Sequence, residues 1–189
     1  MREIRLHGRG GQGTVLAAEI LVNAFVSQGR FASAIPFFGF ERRGAPISAF
    51  VRFDDEPVRE KTQIYSPDCI IVMDPTLGNA VDIFDGLSGA GIAVLNDRRS
   101  CQSLGLPPSV KTVGRVDATR IAVELLGLPI TNTTMLGAFA STTKWVDLKS
   151  IVEGVMAVFE GRPLAEENAQ AVEAGYREAE VSHLEVQAR

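Results

Sequence analysis

Ile4-Arg5-Leu6-His7 runs directly into Gly8-Arg9-Gly10-Gly11-Gln12-Gly13. Thr14 to Ser27 then carries Val15, Ala18, Leu21, Val22, Phe25 and Val26 at helical spacing. Strand, glycine loop and helix in this order are the context that the dinucleotide fingerprint requires, and Gly29 is placed to stop the helix. Gly8, Gly10 and Gly13 satisfy G-x-G-x-x-G. Glycines let the backbone turn tightly and approach a ligand, while the free N–H groups and dipole at the helix start attract an anion. The acidic ribose reader of a dinucleotide site belongs about twenty residues further on, and the chain there reads Phe31-Ala32-Ser33-Ala34-Ile35. No Gly-Lys-Ser/Thr follows, so the loop is not a Walker A. Two readings stand: a phosphate cradle, or a glycine turn needed only for strand and helix to pack closely.

Working outward, Phe31 to Phe37 reads as extended, and Ile47 to Phe53 alternates as a half-buried strand. Asp54-Asp55-Glu56-Pro57 reads as a turn, with Val58 starting a hairpin return. Cys69-Ile70-Ile71-Val72-Met73 is a continuous apolar run, the mark of a strand buried on both faces, and closes at Asp74-Pro75. Gly91 to Asp97 is another such strand. A helix over 77–87 between the two would make a β-α-β unit. Val110 to Val116 adds a strand, Asp117 caps a helix over 118–126 ended by Gly127, and helices over 134–142, 146–159 and 164–181 follow. The expectation is an α/β fold: a Rossmann-like three-layer sheet with helices on both faces and a helical C-terminal third, forming a single domain over 1–189.

With 46% hydrophobic and 22% charged residues, the 189-residue chain can bury a sizeable core. A net charge of -4 argues against broad nucleic-acid binding. Cys69 and Cys101 are too few for a disulfide framework, a four-cysteine zinc site or an iron-sulfur cluster held by this chain alone, so no metal site is expected here. The charged start Met1-Arg2-Glu3-Ile4-Arg5-Leu6 is not a signal peptide, and no run of about eighteen apolar residues occurs, so a cytoplasmic location without membrane partners is expected.

Glu41-Arg42-Arg43-Gly44, set among Phe37, Phe38, Phe40 and Pro46, is the second concentration of chemistry. Adjacent guanidinium groups suit phosphate or carboxylate, although a solvated turn paired with Glu41 fits the same charges. The phenylalanines read as core or as subunit interface. His7 reads as a satisfied strand-end group or a ligand contact, His183 as surface, Cys69 as core and Cys101 as a loop thiol. Asn132-Thr133-Thr134 reads as a helix cap that could also meet a ligand. Gly-Asp-Gly, Cys-x-x-Cys and His-x-x-x-His are absent, and no set of nucleophile and base appears, so no catalytic residue is assigned.

Four blocks in order, His7 to Gly13, Pro36 to Pro46, Asp74-Pro75-Thr76-Leu77 and Asn132 to Phe139, resemble the gamma subunit of 2-oxoacid:ferredoxin oxidoreductases, especially the pyruvate type. The resemblance implies a multi-subunit enzyme that oxidatively decarboxylates a 2-oxoacid, forms an acyl-coenzyme A and passes electrons to ferredoxin or another acceptor. It implies alpha, beta and delta partners, with thiamine diphosphate and iron-sulfur clusters held by them. For this chain it implies a share in the coenzyme A site, carried onto Gly8, Arg9, Gly10, Gly11, Gln12, Gly13, Thr14, Arg42 and Arg43. A pyrophosphate suits a helix N-terminus, and a 3′-phosphate suits a guanidinium pair. Phe40 stands where the pyruvate enzymes commonly carry proline, which admits a branched-chain or aryl 2-oxoacid beside pyruvate. The competing expectations are a self-sufficient NAD(P)-dependent dehydrogenase and a purely structural interaction subunit.

Overall fold

The structure is a computed structural model describing residues 1–37 and 44–184. Seven strands form one mixed sheet in the order β2-β3-β1-β4-β5-β6-β7. β1 (Arg2–Arg9), β4 (Cys69–Val72), β5 (Gly91–Asn96) and β6 (Val110–Val116) are parallel. β2 (Phe31–Phe37) and β3 (Pro46–Asp54) add antiparallel at one side, and β7 (Glu180–His183) at the other. All four residues of β4 are buried, as its unbroken apolar run demands.

One face of the sheet carries all the α-helices among the described residues: α1 (Thr14–Ser27), α2 (Ala118–Leu126), α3 (Asn132–Thr143), α4 (Leu148–Val158) and α5 (Ala165–Glu178). Ile4, Leu6, Val51 and Ile71 meet Leu21, Phe25, Met135 and Phe139 in this core. α3 and α5 cross with their backbones in contact, because a Cβ on Gly137 would lie 1.9 Å from the Val172 carbonyl oxygen and one on Gly175 would lie 2.0 Å from that of Thr134. The helical C-terminal third is as the sequence predicts.

The second face differs in detail from expectation. The α-helix read over 77–87 is a 3-10 turn at Leu77–Asn79 followed by irregular backbone, with a second 3-10 turn at Cys101–Ser103. Gly78, Asn79 and Asp82 favour turns over helix, and the Asp82 carboxylate accepts from the Phe84 N–H in place of a helical partner. This segment still buries Leu77, Ile83 and Leu87 against Ile70, Val72, Ala93 and Leu95, so the third layer is present. Buried arginines hold the irregular cover to the sheet. Arg5 donates to the carbonyls of Ile83 and Asp85, and Arg52 to those of Thr62 and Gln63.

Two further readings are corrected. Val58 starts no strand: the hairpin partner of β3 is β2, and β1 takes its other edge. The helix read to Val181 stops at Glu178, and Glu180–His183 turns into the edge strand β7, tied down by an Arg115–Glu180 ion pair. His183 is exposed as expected, with Nδ1 3.1 Å from the Thr112 hydroxyl. Among the described residues no helix is long and apolar enough to cross a membrane.

Candidate functional site at the glycine loop

From β1 the chain goes through α1 to the β2–β3 hairpin on one side, then returns to the other side as β4. The carboxyl ends of β1 and β4 are therefore the topological switch point, where open α/β sheets hold their ligands. Gly8 to Gly13 lies at one lip of that crevice and Asp74-Pro75-Thr76 at the other.

Three of the loop's four glycines, Gly8, Gly11 and Gly13, each have a different reason to be there. A Cβ on Gly8 would sit 2.0 Å from the Thr14 hydroxyl, which is buried and without a partner. Gly13 has φ 73°, and its Cβ would sit 2.4 Å from Asn132 Nδ2. Gly11 has φ 95°, and nothing lies within 4 Å of the place its Cβ would take. The loop is thus packed from below at Gly8 and Gly13 and open above Gly11. No side chain caps α1 and no acidic residue stands in its first turn, which leaves the positive end of that helix to a ligand.

Arg9 and Gln12, both read as ligand contacts, are turned inward. The Gln12 side chain accepts from the Arg9 N–H at 2.7 Å and donates to Asp74 Oδ2 at 2.8 Å. The Arg9 guanidinium lies 3.3 Å from the same carboxylate oxygen, and donates to the Thr76 hydroxyl at 2.9 Å and to the Gly44 carbonyl at 3.1 Å. Thr76 completes the set, its N–H and hydroxyl both donating to Asp74 Oδ1. These donors hold the Asp74 carboxyl below the usual carboxylate range in spite of its partial burial. The sequence places Asp74 and Thr76 in one block of the family resemblance but gives them no site role. The signal was the Asp-Pro pair that closes the buried strand.

Arg42 and Arg43 lie outside the described residues, but the end of their loop does not. Gly44 donates its N–H to the Gly10 carbonyl at 3.1 Å, and Gly10 donates to the Ala45 carbonyl at 2.9 Å. Past the crevice, a cleft of about 530 Å³ runs along the carboxyl ends of β4, β5 and β6, lined by Asn96, Asp97, Arg98, Arg99 and Thr119 among others. Asp97 is paired with Arg99, while Arg98 is exposed.

His7 takes the structural role. It is buried and accepts from Arg5 Nε at 3.0 Å, and burial together with that guanidinium lowers its pKa to about 3. Cys69 is buried on β4, where burial pushes its thiol well up. Asn132 is not the cap: α3 already starts there, and its side chain reaches the Gly13 carbonyl at 3.4 Å.

Residues 3–178 match the family model described as pyruvate ferredoxin/flavodoxin oxidoreductase. The chain belongs to that family. It is 49% identical over 186 residues to the Pyrococcus furiosus common subunit gamma of the pyruvate/ketoisovalerate oxidoreductases, covering 97% of this chain and all of that one. It is 48% identical to the gamma subunit of the NADH-dependent phenylglyoxylate dehydrogenase of Aromatoleum evansii, covering 98% and 97%. Among solved structures, pyruvate oxidoreductase subunit PORC from Thermotoga maritima superposes with a TM-score of 0.84 at 34% identity, covering 96% of this chain and 98% of that one. The protein is accordingly a gamma subunit of a 2-oxoacid:ferredoxin oxidoreductase, an enzyme component with partner subunits. The self-sufficient dehydrogenase reading gives way to this one.

Proposed function

We propose that this gamma subunit forms part of the coenzyme A site of its enzyme. The glycine loop receives the pyrophosphate and the Arg42-Arg43 pair receives the 3′-phosphate. The observation that carries the reading is the pair of backbone bonds between Gly10 and Gly44-Ala45, which brings the foot of the arginine loop onto the glycine loop. The described end of the second segment, Gly44-Ala45, is thereby joined to the glycine loop. Open space above Gly11 and the uncapped start of α1 fit a phosphate group there. Because Arg9 is matched by Asp74, the phosphate charge falls to Arg42 and Arg43 rather than to Arg9.

The ligand's role in the reaction is to present a thiol to the acyl group released from the 2-oxoacid. This chain contributes by gripping the distant nucleotide end, so that the thiol is positioned when it arrives. Gly8 and Gly13 let the loop lie close to Thr14 and Asn132, and Gly11 leaves room for the ligand. Thiamine diphosphate and iron-sulfur clusters belong to the alpha, beta and delta partners in this reading. Of the 2-oxoacids, pyruvate is the substrate we propose, in line with the enzymes named for pyruvate among the relatives; the Aromatoleum relative, named for phenylglyoxylate, keeps an aryl 2-oxoacid as the comparison.

The test is steady-state kinetics on the assembled enzyme with Arg42→Ala and Arg43→Ala, run with pyruvate, 2-oxoisovalerate and phenylglyoxylate. A higher KM for coenzyme A, an unchanged KM for the 2-oxoacid and a smaller effect with dephospho-coenzyme A support the assignment. Unchanged coenzyme A dependence in both variants returns the subunit to a structural role.

A further inference from the structure

We propose that Asp74 is the positioning residue of this ligand site, holding the glycine loop and the foot of the arginine loop in one arrangement through Arg9, Gln12 and Thr76. The inference rests on the coenzyme A reading and adds to it a group that touches no ligand itself.

Asp74 stands two residues past the buried strand β4; the Met73 N–H before it donates to the His7 carbonyl at 2.9 Å and its own carbonyl accepts from the Leu77 N–H at 3.2 Å, which hold its carboxylate in place. Oδ2 takes the Gln12 amide at 2.8 Å and faces Arg9 Nε at 3.3 Å, while Oδ1 takes the Thr76 N–H at 2.8 Å. The same Gln12 side chain returns to the Arg9 N–H, which pins the loop's first turn at both ends. The Arg9 guanidinium then passes the anchorage to the Gly44 carbonyl, one residue beyond Arg43. Loop, strand end and arginine-loop foot therefore move together or not at all. The bonds are charge-assisted and partly shielded from water, with side-chain exposures of 25% for Arg9 and 14% for Asp74.

Replacing one carboxylate oxygen by an amide, as in Asp74→Asn, keeps the size and removes the charge and one acceptor. With its amide nitrogen at the Oδ2 position the residue faces the Gln12 and Arg9 donors, and with it at Oδ1 it faces the Thr76 N–H and hydroxyl, so the two sets of donors cannot then both be satisfied. The loop keeps its glycines but loses its fixed distance from Gly44, so the ligand must order the site when it binds, at a cost in affinity and not in the chemical step.

The assembled enzyme is assayed with Asp74→Asn, Arg9→Met, their double variant Asp74→Asn/Arg9→Met and Thr76→Ala, with Arg43→Ala as the control for the underlying reading. The expected result is a rise of about tenfold in KM for coenzyme A in Asp74→Asn, with kcat at saturation and KM for the 2-oxoacid within about twofold of the parent. Thr76→Ala gives a smaller rise, and the double variant is no worse than the poorer single, as for groups acting as a unit. If Asp74→Asn fails to assemble, Thr76→Ala alone decides by the same split between the two KM values. An unchanged KM for coenzyme A in these variants while Arg43→Ala raises it overturns the proposal and leaves the coenzyme A reading intact. A joint fall of kcat and rise of both KM values, or effects that multiply in the double variant, marks a merely structural residue and also overturns it. No response in any variant, Arg43→Ala included, removes the coenzyme A reading itself.

Discussion

Gly8→Ala introduces one methyl group at the point where β1 enters the loop. Gly8 has no positive φ, so the substitution reads sterics alone, free of backbone strain. The new Cβ would lie 2.0 Å from the Thr14 hydroxyl oxygen, whereas ordinary contact begins at 3.4 Å, so the hydroxyl must retreat by about 1.4 Å. Thr14 is 1% exposed, which leaves little free volume for that retreat. Overpacking of this kind costs about 2 kcal/mol. Thr14→Ala removes the clashing atom, and the loss of a buried methyl, about 1 kcal/mol, is offset by the loss of a buried hydroxyl with no partner. The single Thr14→Ala is therefore close to neutral, and it restores most of what Gly8→Ala loses, a coupling of about 2 kcal/mol. Urea unfolding of the purified subunit, followed by the fluorescence of its one tryptophan, Trp145, packed near Phe53 and Phe139, measures this. Gly8→Ala should lower the midpoint by about 1 M and the double variant should recover it. A full-strength midpoint for Gly8→Ala, or no recovery with Thr14→Ala, refutes the packing described for the loop.

Three other outcomes follow from the same geometry. Gly137→Ala forces α3 and α5 apart at a 1.9 Å contact, and with the gain in helix propensity subtracted it should cost about 2 kcal/mol in the same assay, against near neutrality for Gly89→Ala, which meets nothing within 4 Å. Arg5→Met frees the carbonyls of Ile83 and Asp85, so the amides of 81–88 should exchange faster by hydrogen–deuterium exchange, with a stability loss of about 2 kcal/mol. His7 stays neutral in the fold to about pH 3, while in the unfolded chain it takes a proton near pH 6.5; stability therefore falls as pH drops below 6.5, by about 2 kcal/mol at pH 5. The check is the loss of that part of the pH dependence in His7→Gln, with no His7 titration by NMR between pH 5 and 8.

Much of the fold could be read from periodicity because the elements concerned carry their own end signals. α1 is bounded by Gly13 and Gly29, and α2 by Asp117, whose side chain accepts from the Arg120 N–H, and by Gly127 at φ 69°. The segment over 77–87 misleads because its apolar residues bury at near-helical spacing while its backbone is held by a side chain far away in sequence, Arg5. β7 escapes because four residues give no period, and its pairing to β6 is a tertiary matter. At the site, the glycines state their need for small size but not what they pack on: Thr14 at six residues and Asn132 at more than a hundred. Arg9 and Gln12 look like ligand contacts in the sequence, since nothing local reveals that Asp74 faces them.

The most direct measurement of the central claim is hydrogen–deuterium exchange on the assembled enzyme with and without coenzyme A. The account predicts slower exchange at the amides of residues 10–16 and 41–45 on adding coenzyme A, and a weaker effect at 41–45 with dephospho-coenzyme A. Protection confined to partner subunits, with both segments of this chain unchanged at saturating ligand, would contradict it.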